Sequence, residues 1–254
     1  MGDEVLRERR GRVEVLTINR PEARNAINLA VATALSAALD DVEHDDGCRV
    51  VVLTGAGDKA FSAGMDLKAF AQGEAPITEH GFAGVTKRVF PKPLIAAVNG
   101  HALAGGFEIM LSCDLVVAAS HATFGIPEVA RGLIAGGGGL IRLAKQIPRA
   151  IALELALTGA AIDAARAYEV GLVNRVVAPE TVVDEAVELG ERIVRNAPLA
   201  VRVSKRVMLG SLNLTEPEAW ALNDGSFGEI ARSKDAIEGA VAFAEKREPN
   251  WTGA

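Results

Sequence analysis

Aromatic residues are scarce: eight Phe, two Trp and one Tyr make up 4% of 254 residues. With 49% hydrophobic residues and few rings, the core must be built from Ala, Val, Leu and Ile. The 26 Gly allow backbones to approach closely and to turn tightly. Cysteine is nearly absent. Cys48 and Cys113 lack the spacing of a metal knuckle or a redox pair, so two buried thiols in a reducing compartment are expected. No run of Lys and Arg exists, and a net charge of -6 gives no nucleic-acid footprint. No apolar stretch approaches the ~20 residues of a membrane span. The charged segment Met1 to Arg12 resembles neither a signal nor a transit peptide. These absences predict a cytoplasmic chain without a membrane or nucleic-acid partner, and the apolar content excludes disorder.

What is present reads as an α/β pattern. Val13 to Ile18 alternates and is rich in β-branched residues, a strand ended by Asn19-Arg20-Pro21. Leu29, Ala32, Leu35, Leu39 and Val42 fall at helical spacing. Arg49 to Thr54 is a buried strand ending at Gly55 and Gly57. Strand, helix and strand in this order predict parallel βαβ units. Leu94 to Val98, Leu115 to Ala118 and Thr123-Phe124 continue the strands, with a helix from Gly105 through Leu111 between them. Leu140 to Leu157 is helical with a break at Pro148. Ala164 to Val170 is a helix stopped by Gly171, and Leu172 to Val177 is a short strand. After Pro179 only helices follow: Val182 to Asn196, Leu199 to Leu209, Glu216 to Arg232 with Thr215 as N-cap, and Ala236 to Lys246. The boundary falls near 196, giving an α/β core over 1–195 and a helical region over 196–254.

Gly55-Ala56-Gly57-Asp58-Lys59-Ala60 fits a loose dinucleotide pattern, with Glu74 at the distance of a ribose-binding acid. That pattern needs a helix starting at the glycines, and Phe61-Ser62-Ala63-Gly64 reads as a loop. A nicotinamide or flavin cofactor is therefore not expected. No His, Cys and Asp cluster has metal-ligand spacing, and Ser62 lacks a nucleophile elbow. His44 and His80 fall in polar segments, and His101 and His121 near strand ends, where structural roles are expected.

Three segments carry chemistry in combination. Lys59 to Lys68 places small residues at Ser62, Ala63 and Gly64, where a ligand can approach the main chain. In Asn99 to Glu108 a strand runs through Gly105-Gly106 into a helix whose first N–H groups lack intrahelical partners and can hold an oxyanion. In Phe124 to Glu128, Pro127 fixes the approach to a carboxylate. Each alone is ordinary, because glycine pairs usually mark tight turns and a first-turn Glu usually answers the helix dipole. Their order is what carries information.

Through these motifs the chain resembles the enoyl-CoA hydratase/isomerase, or crotonase, family over nearly its whole length. The match includes Asn19-Arg20-Pro21 with Asn25-Ala26, Ala63 to Lys68, Gly100 to Glu108, Phe124 to Glu128, Leu157-Thr158-Gly159 and Ala167 to Val177. The resemblance implies a spiral core of repeated ββα units with a C-terminal helical extension that packs at the contacts of a homotrimer or hexamer. It implies hydration of a trans-2-enoyl-CoA thioester, with coenzyme A as part of the substrate and no separate cofactor. Glu108 and Glu128 take the positions of the two catalytic glutamates, and the N–H groups of Ala63 and Gly105 those of the oxyanion donors. Ala63, Gly64, Met65, Asp66 and Gly105 would line the substrate, with Arg24 and Lys68 near its phosphates. Two carboxylates suit hydration because one water must be oriented and deprotonated while a proton reaches the adjacent carbon. An isomerase or a carnitinyl-CoA-type dehydratase is the alternative implied by the same fold, and a non-catalytic acyl-CoA binder is less favoured. The sequence departs from the family where Gly132 to Gly139 lacks the usual proline, and where Phe107 and Met65 put bulk beside the site.

Overall fold

A computed structural model describes residues 3–254. The chain opens with β1 (Val5–Arg10) and β2 (Val13–Ile18), then α1 (Leu29–Glu43), β3 (Val50–Gly55), β4 (Ala60–Ser62), α2 (Leu67–Ala71), and the small hairpin β5 (Ile77–Thr78) with β6 (Gly81–Phe82). It continues through β7 (Leu94–Val98), β8 (His101–Leu103), α3 (Gly105–Met110), β9 (Leu115–Ala119), β10 (Thr123–Gly125) and a 3-10 turn at Pro127–Arg131. Then come α4 (Gly139–Gln146), α5 (Arg149–Thr158), β11 (Ala161–Asp163), α6 (Ala164–Glu169), β12 (Arg175–Val177), α7 (Val182–Val194), α8 (Pro198–Ser211), α9 (Glu216–Ile230) and α10 (Lys234–Glu245).

The strands form two principal sheets. Six lie in the order β1-β2-β3-β7-β9-β12, parallel except for the β1–β2 hairpin. Four shorter ones lie in the order β11-β10-β8-β4, with β4, β8 and β10 parallel to one another. The expectation of simple βαβ units therefore needs correcting. The long strands β3, β7 and β9 are each followed by a three-residue strand that joins the other sheet before the chain becomes helical, which is the ββα repeat. The turns that redirect the chain are held by buried side chains. Asn25 Nδ2 donates to Ala56 O and Ala60 O, and Asn99 Nδ2 donates to Gly55 O and Gly57 O.

Alternation along the long strands divides the core. Leu16, Ile18, Val51, Leu53, Ala96 and Val98 face α1, whose Val31, Leu35, Leu39 and Val42 are all buried. Val13, Val15, Val50, Val52, Ile95 and Val117 face α7 through Val182, Ala186 and Val187. Edge strand β1 alternates charges and is fixed by Arg7 and Arg9 on the buried Glu14, at 2.8 and 2.5 Å. Helices α8 to α10 extend beyond this body. Lys205 of α8 bonds Asp114 Oδ2 at 2.6 Å and Lys92 O at 2.8 Å. A capping box of Thr215 and Glu218 starts α9. The extension leaves Met208, Leu209, Leu212, Trp220 and Phe227 exposed. Among the described residues no helix is long and apolar enough to cross a membrane.

Candidate active site

Because β4, β8 and β10 are parallel neighbours, their C-terminal ends lie side by side. The chain leaves them at Ala63, Ala104 and Ile126, so all three chemistry-bearing segments emerge at one edge. Glycine permits their approach. A Cβ at Gly64 would stand 2.7 Å from Gly105 N, and one at Gly106 would stand 2.0 Å from Ser62 O. Gly64 also has φ +88, open to few L residues. Ala104 is held at φ 52, ψ -128, a backbone strain of about 1–3 kcal/mol that sets the direction of the first α3 amides.

The free donors differ from those expected. Ala63 N–H donates to Arg24 O at 3.0 Å, which removes it from any oxyanion role. Gly64 N–H donates to Ser62 Oγ at 3.1 Å. The chain on either side of Met65 is pinned to Ile27, through Ile27 N–H to Gly64 O and Asp66 N–H to Ile27 O. A parallel bridge of this kind uses the flanking groups and leaves the central amide unpaired. Among the described residues, Met65 N–H and Gly105 N–H donate to no protein acceptor. Met65 and Gly105 thus each carry a free N–H, and Gly64 is the contact that brings their segments together. Phe82 covers Gly105, since a Cβ there would meet the Phe82 ring at 2.6 Å.

Glu108 is 4% exposed at the end of the first turn of α3. Its Oε1 accepts from Gly139 N–H at 2.9 Å. A Cβ at Gly137 would meet Oε2 at 2.7 Å, so the glycine-rich stretch is moulded onto this carboxylate. Burial raises the Glu108 pKa, opposed by the N–H groups of Gly139 and Gly137 and by the charge of Arg142. Arg142 is itself fixed on Thr86 O and Gly137 O. This holds the stretch that lacks the expected proline.

Glu128 lies in the 3-10 turn behind Pro127. Burial raises its pKa as well; its own N–H and Arg131 oppose the shift, and the charge of Glu108 adds to it. Its Oε2 is buried without a hydrogen-bond partner among the described residues. The two carboxyl groups thus lie within electrostatic reach, one anchored and one with a free acceptor oxygen.

The other expected residues divide. Asp66 caps α2 by accepting from Lys68 N–H and Ala69 N–H, and pairs with Arg20 at 2.9 Å. Its carboxylate therefore builds the loop. Arg24 and Lys68 are exposed cations flanking it. Phe107 is fully buried and packs on Phe124, with ring centroids 6.1 Å apart, so its bulk enters the core rather than the site. His101 bonds Thr123 Oγ1 and His121 bonds Asp58 O, both structural. The chain after Gly57 enters β4 rather than a helix, which removes the dinucleotide pattern. No cluster able to hold a metal ion occurs among the described residues. Sequence reasoning missed Met65 N–H as a donor, Phe82 as a cover and Arg142 as a support. The missed signals were a side-chain-independent amide, a ring in a two-residue strand, and a cation 34 residues from its carboxylate.

The model of a family described as enoyl-CoA hydratase/isomerase matches residues 8–254. The chain is 41% identical to a carnitinyl-CoA dehydratase of Salmonella arizonae, covering 100% of both sequences. Its structure is similar to an enoyl-CoA hydratase from Mycobacterium tuberculosis H37Rv, with TM-score 0.96 and 52% identity over 99% of each chain. It is also similar to a carnitinyl-CoA hydratase from Mycobacterium avium, with TM-score 0.82 and 49% identity over 100% of each chain.

Proposed function

This chain belongs to the enoyl-CoA hydratase/isomerase family, and from that membership we propose that it adds water reversibly, and syn, across the C2=C3 bond of a trans-2-enoyl-CoA thioester. The observation that carries this reading is the pair Glu108 and Glu128, both raised in pKa by burial, beside two unpaired main-chain N–H groups.

Glu108, held by Gly139, orients the water. The free Oε2 of Glu128 accepts its proton as the oxygen bonds to C3. The C2=C3 electron pair moves into the thioester, and the charge gathers on the carbonyl oxygen, which Met65 and Gly105 N–H receive. Such a donor contributes about 3–4 kcal/mol to the transition state. A carboxyl group then delivers a proton to C2, completing the addition. Carboxyls with raised pKa values suit this exchange because they hold and release protons nearer neutral pH. Arg24 and Lys68 supply charge for the coenzyme A phosphates beside the Gly64 to Asp66 loop. The exposed apolar residues of α8 and α9 support self-association as a homotrimer or hexamer.

Glu108→Gln and Glu128→Gln should each lower hydration of crotonyl-CoA by about 10²–10⁴-fold while the far-UV circular dichroism stays unchanged. Full activity in both variants overturns the two-carboxylate mechanism.

A second reading is favoured by the two relatives named for carnitinyl-CoA. Run in reverse, the same pair eliminates water from a 3-hydroxyacyl thioester, and carnitinyl-CoA is the substrate to try. A panel of crotonyl-, longer 2-enoyl-, 3-enoyl- and carnitinyl-CoA separates hydration, isomerisation and this dehydration. No turnover on any of them would leave an acyl-CoA binder.

A further inference from the structure

A cavity of about 570 Å³ lies where the core meets the C-terminal extension, within the 300–1,000 Å³ range of ligand sites. It opens at the N-terminal ends of the long strands: Arg12 precedes β2, Arg49 precedes β3 and Lys92 precedes β7. Gly55 and Asn99, whose loops lead to the thioester site, leave the opposite ends of β3 and β7. From the other side Arg202 of α8 and Trp251 complete the wall.

The four cations are unusual in forming no ion pair. Among the described residues none of them has a carboxylate within 4 Å, although Arg7, Arg9 and Arg10 just upstream are all ion-paired. Asp46 and Ala254 also line the cavity, yet neither comes within that distance. Lys92 is 3% exposed, and its ammonium donates to the carbonyls of Val42 and Asp45 at 2.6 and 2.7 Å. Arg49 donates to the carbonyls of Val194 and Trp251 at 3.1 and 3.3 Å. These two are fixed in place by carbonyl oxygens rather than by a carboxylate. Arg12 and Arg202 are in none of the side-chain hydrogen bonds of the described residues, so their donors are free. Burial lowers the pKa of Arg49 and of Lys92; the charge of Arg12 adds to the lowering at Arg49 against the pull of Asp235, and at Lys92 that of Arg202 adds to it against Cys48, Asp45 and Asp46. Like charges held together in this way are relieved by an anion that several of them can share.

We propose that this cavity binds a small molecule carrying a diphosphate group, with Arg12 and Arg202 forking its oxygens and Arg49 and Lys92 as the fixed charges beneath them. Guanidinium forks match phosphate oxygens and form strong charge-assisted hydrogen bonds. A diphosphate brings enough charge for four cations, whereas a lone carboxylate would leave most of them uncancelled. The Trp251 indole, whose Nε1 is tied to Arg195 O at 2.7 Å, gives the cavity a flat apolar wall.

The test is calorimetric titration of pyrophosphate into the full chain already saturated with acetyl-CoA, so that the thioester site is filled. Saturable binding at one pyrophosphate per chain is expected. The double variant Arg12→Gln, Arg202→Gln should weaken it at least tenfold, with the ligand-free melting temperature and crotonyl-CoA hydration unchanged. Arg202→Gln alone should weaken it by a smaller factor. The proposal is overturned if no saturable binding occurs, if the double variant binds equally well, or if acetyl-CoA displaces the pyrophosphate. Sulfate binding as tightly as pyrophosphate marks an adventitious ion only, and overturns it too.

Discussion

Replacing Glu128 by Gln should make the protein more stable at neutral pH while nearly abolishing its turnover. The wild-type carboxylate has one oxygen buried without a partner and stands in the field of Glu108. A fully buried acceptor without a hydrogen bond costs about 1–3 kcal/mol, and more when it is charged. Glu128 is only half enclosed, so the lower end, about 1 kcal/mol, is appropriate. In a chain of this length that corresponds to roughly 2–4 °C in Tm. The pH dependence carries the sharper test. Burial, with the charge of Glu108 adding, raises the folded pKa above the ordinary 4.5, so the folded protein keeps this proton to higher pH than the unfolded chain does. Stability therefore falls as pH rises from about 4.5 through the folded pKa, and the deficit is constant above it. Gln does not titrate. The gain of Glu128→Gln should be full at pH 8, shrink as pH falls through the folded pKa, and vanish near pH 4.5. Scanning calorimetry at several pH values measures this, with loss of the enoyl chromophore as the parallel activity assay. A variant that melts below wild type at pH 8, or a difference that is the same at both ends of the range, refutes the reasoning.

Gly106→Ala should destabilise by about 1–3 kcal/mol in urea unfolding, because its Cβ would be 2.0 Å from Ser62 O. It should also lower kcat by parting the segments that carry the Met65 and Gly105 amides, and wild-type kinetics would show that this contact is not needed. Lys205→Met should cost about 2 kcal/mol at pH 8 by stranding Asp114, an amount discounted from the 3–5 kcal/mol of a fully buried pair because both partners stay partly exposed. Burial raises the Asp114 pKa against the pull of Lys205, so the loss should shrink at acid pH, where Asp114 is protonated. A pH-independent loss would show that the lysine acts through packing alone.

The long strands and helices were legible because burial imposes a period. Val13–Ile18, Leu94–Val98 and the α1 face at Leu35, Leu39 and Val42 all follow from it. The short strands β4 and β8 were not anticipated, since three residues cannot display a period of two. Their neighbours decide them, through the ladder of β4, β8 and β10 and the amides of Asn25 and Asn99. The same limit applies to the site. Glu108 and Glu128 are side chains and could be named from sequence. Which amide is free depends on which carbonyl takes the others, and Arg24 O taking Ala63 N–H is a tertiary event with no signature in the string of letters.

The dependence of the site on the small sheet follows from these facts. A three-residue strand forms too few ladder bonds to persist by itself, yet β4, β8 and β10 must keep their ends in line for Met65, Gly105 and Glu128 to meet. Alignment is supplied from outside by side chains that satisfy main-chain groups at the turns. Asn99 accepts from Gly55 N–H and donates to Gly55 O and Gly57 O, and Asn25 reaches both Ala56 O and Ala60 O. Both asparagines lie ahead of the short strands rather than at the ends that carry the chemistry, and both hold main-chain groups between the end of β3 and the start of β4. The large sheet supplies rigidity through its buried Val, Leu and Ile, and the asparagines transmit that rigidity to a sheet too small to have its own. In this fold the chemistry is set at the second strand of each repeat, so the buried amides at 25 and 99 belong to the functional architecture as much as the two carboxylates do.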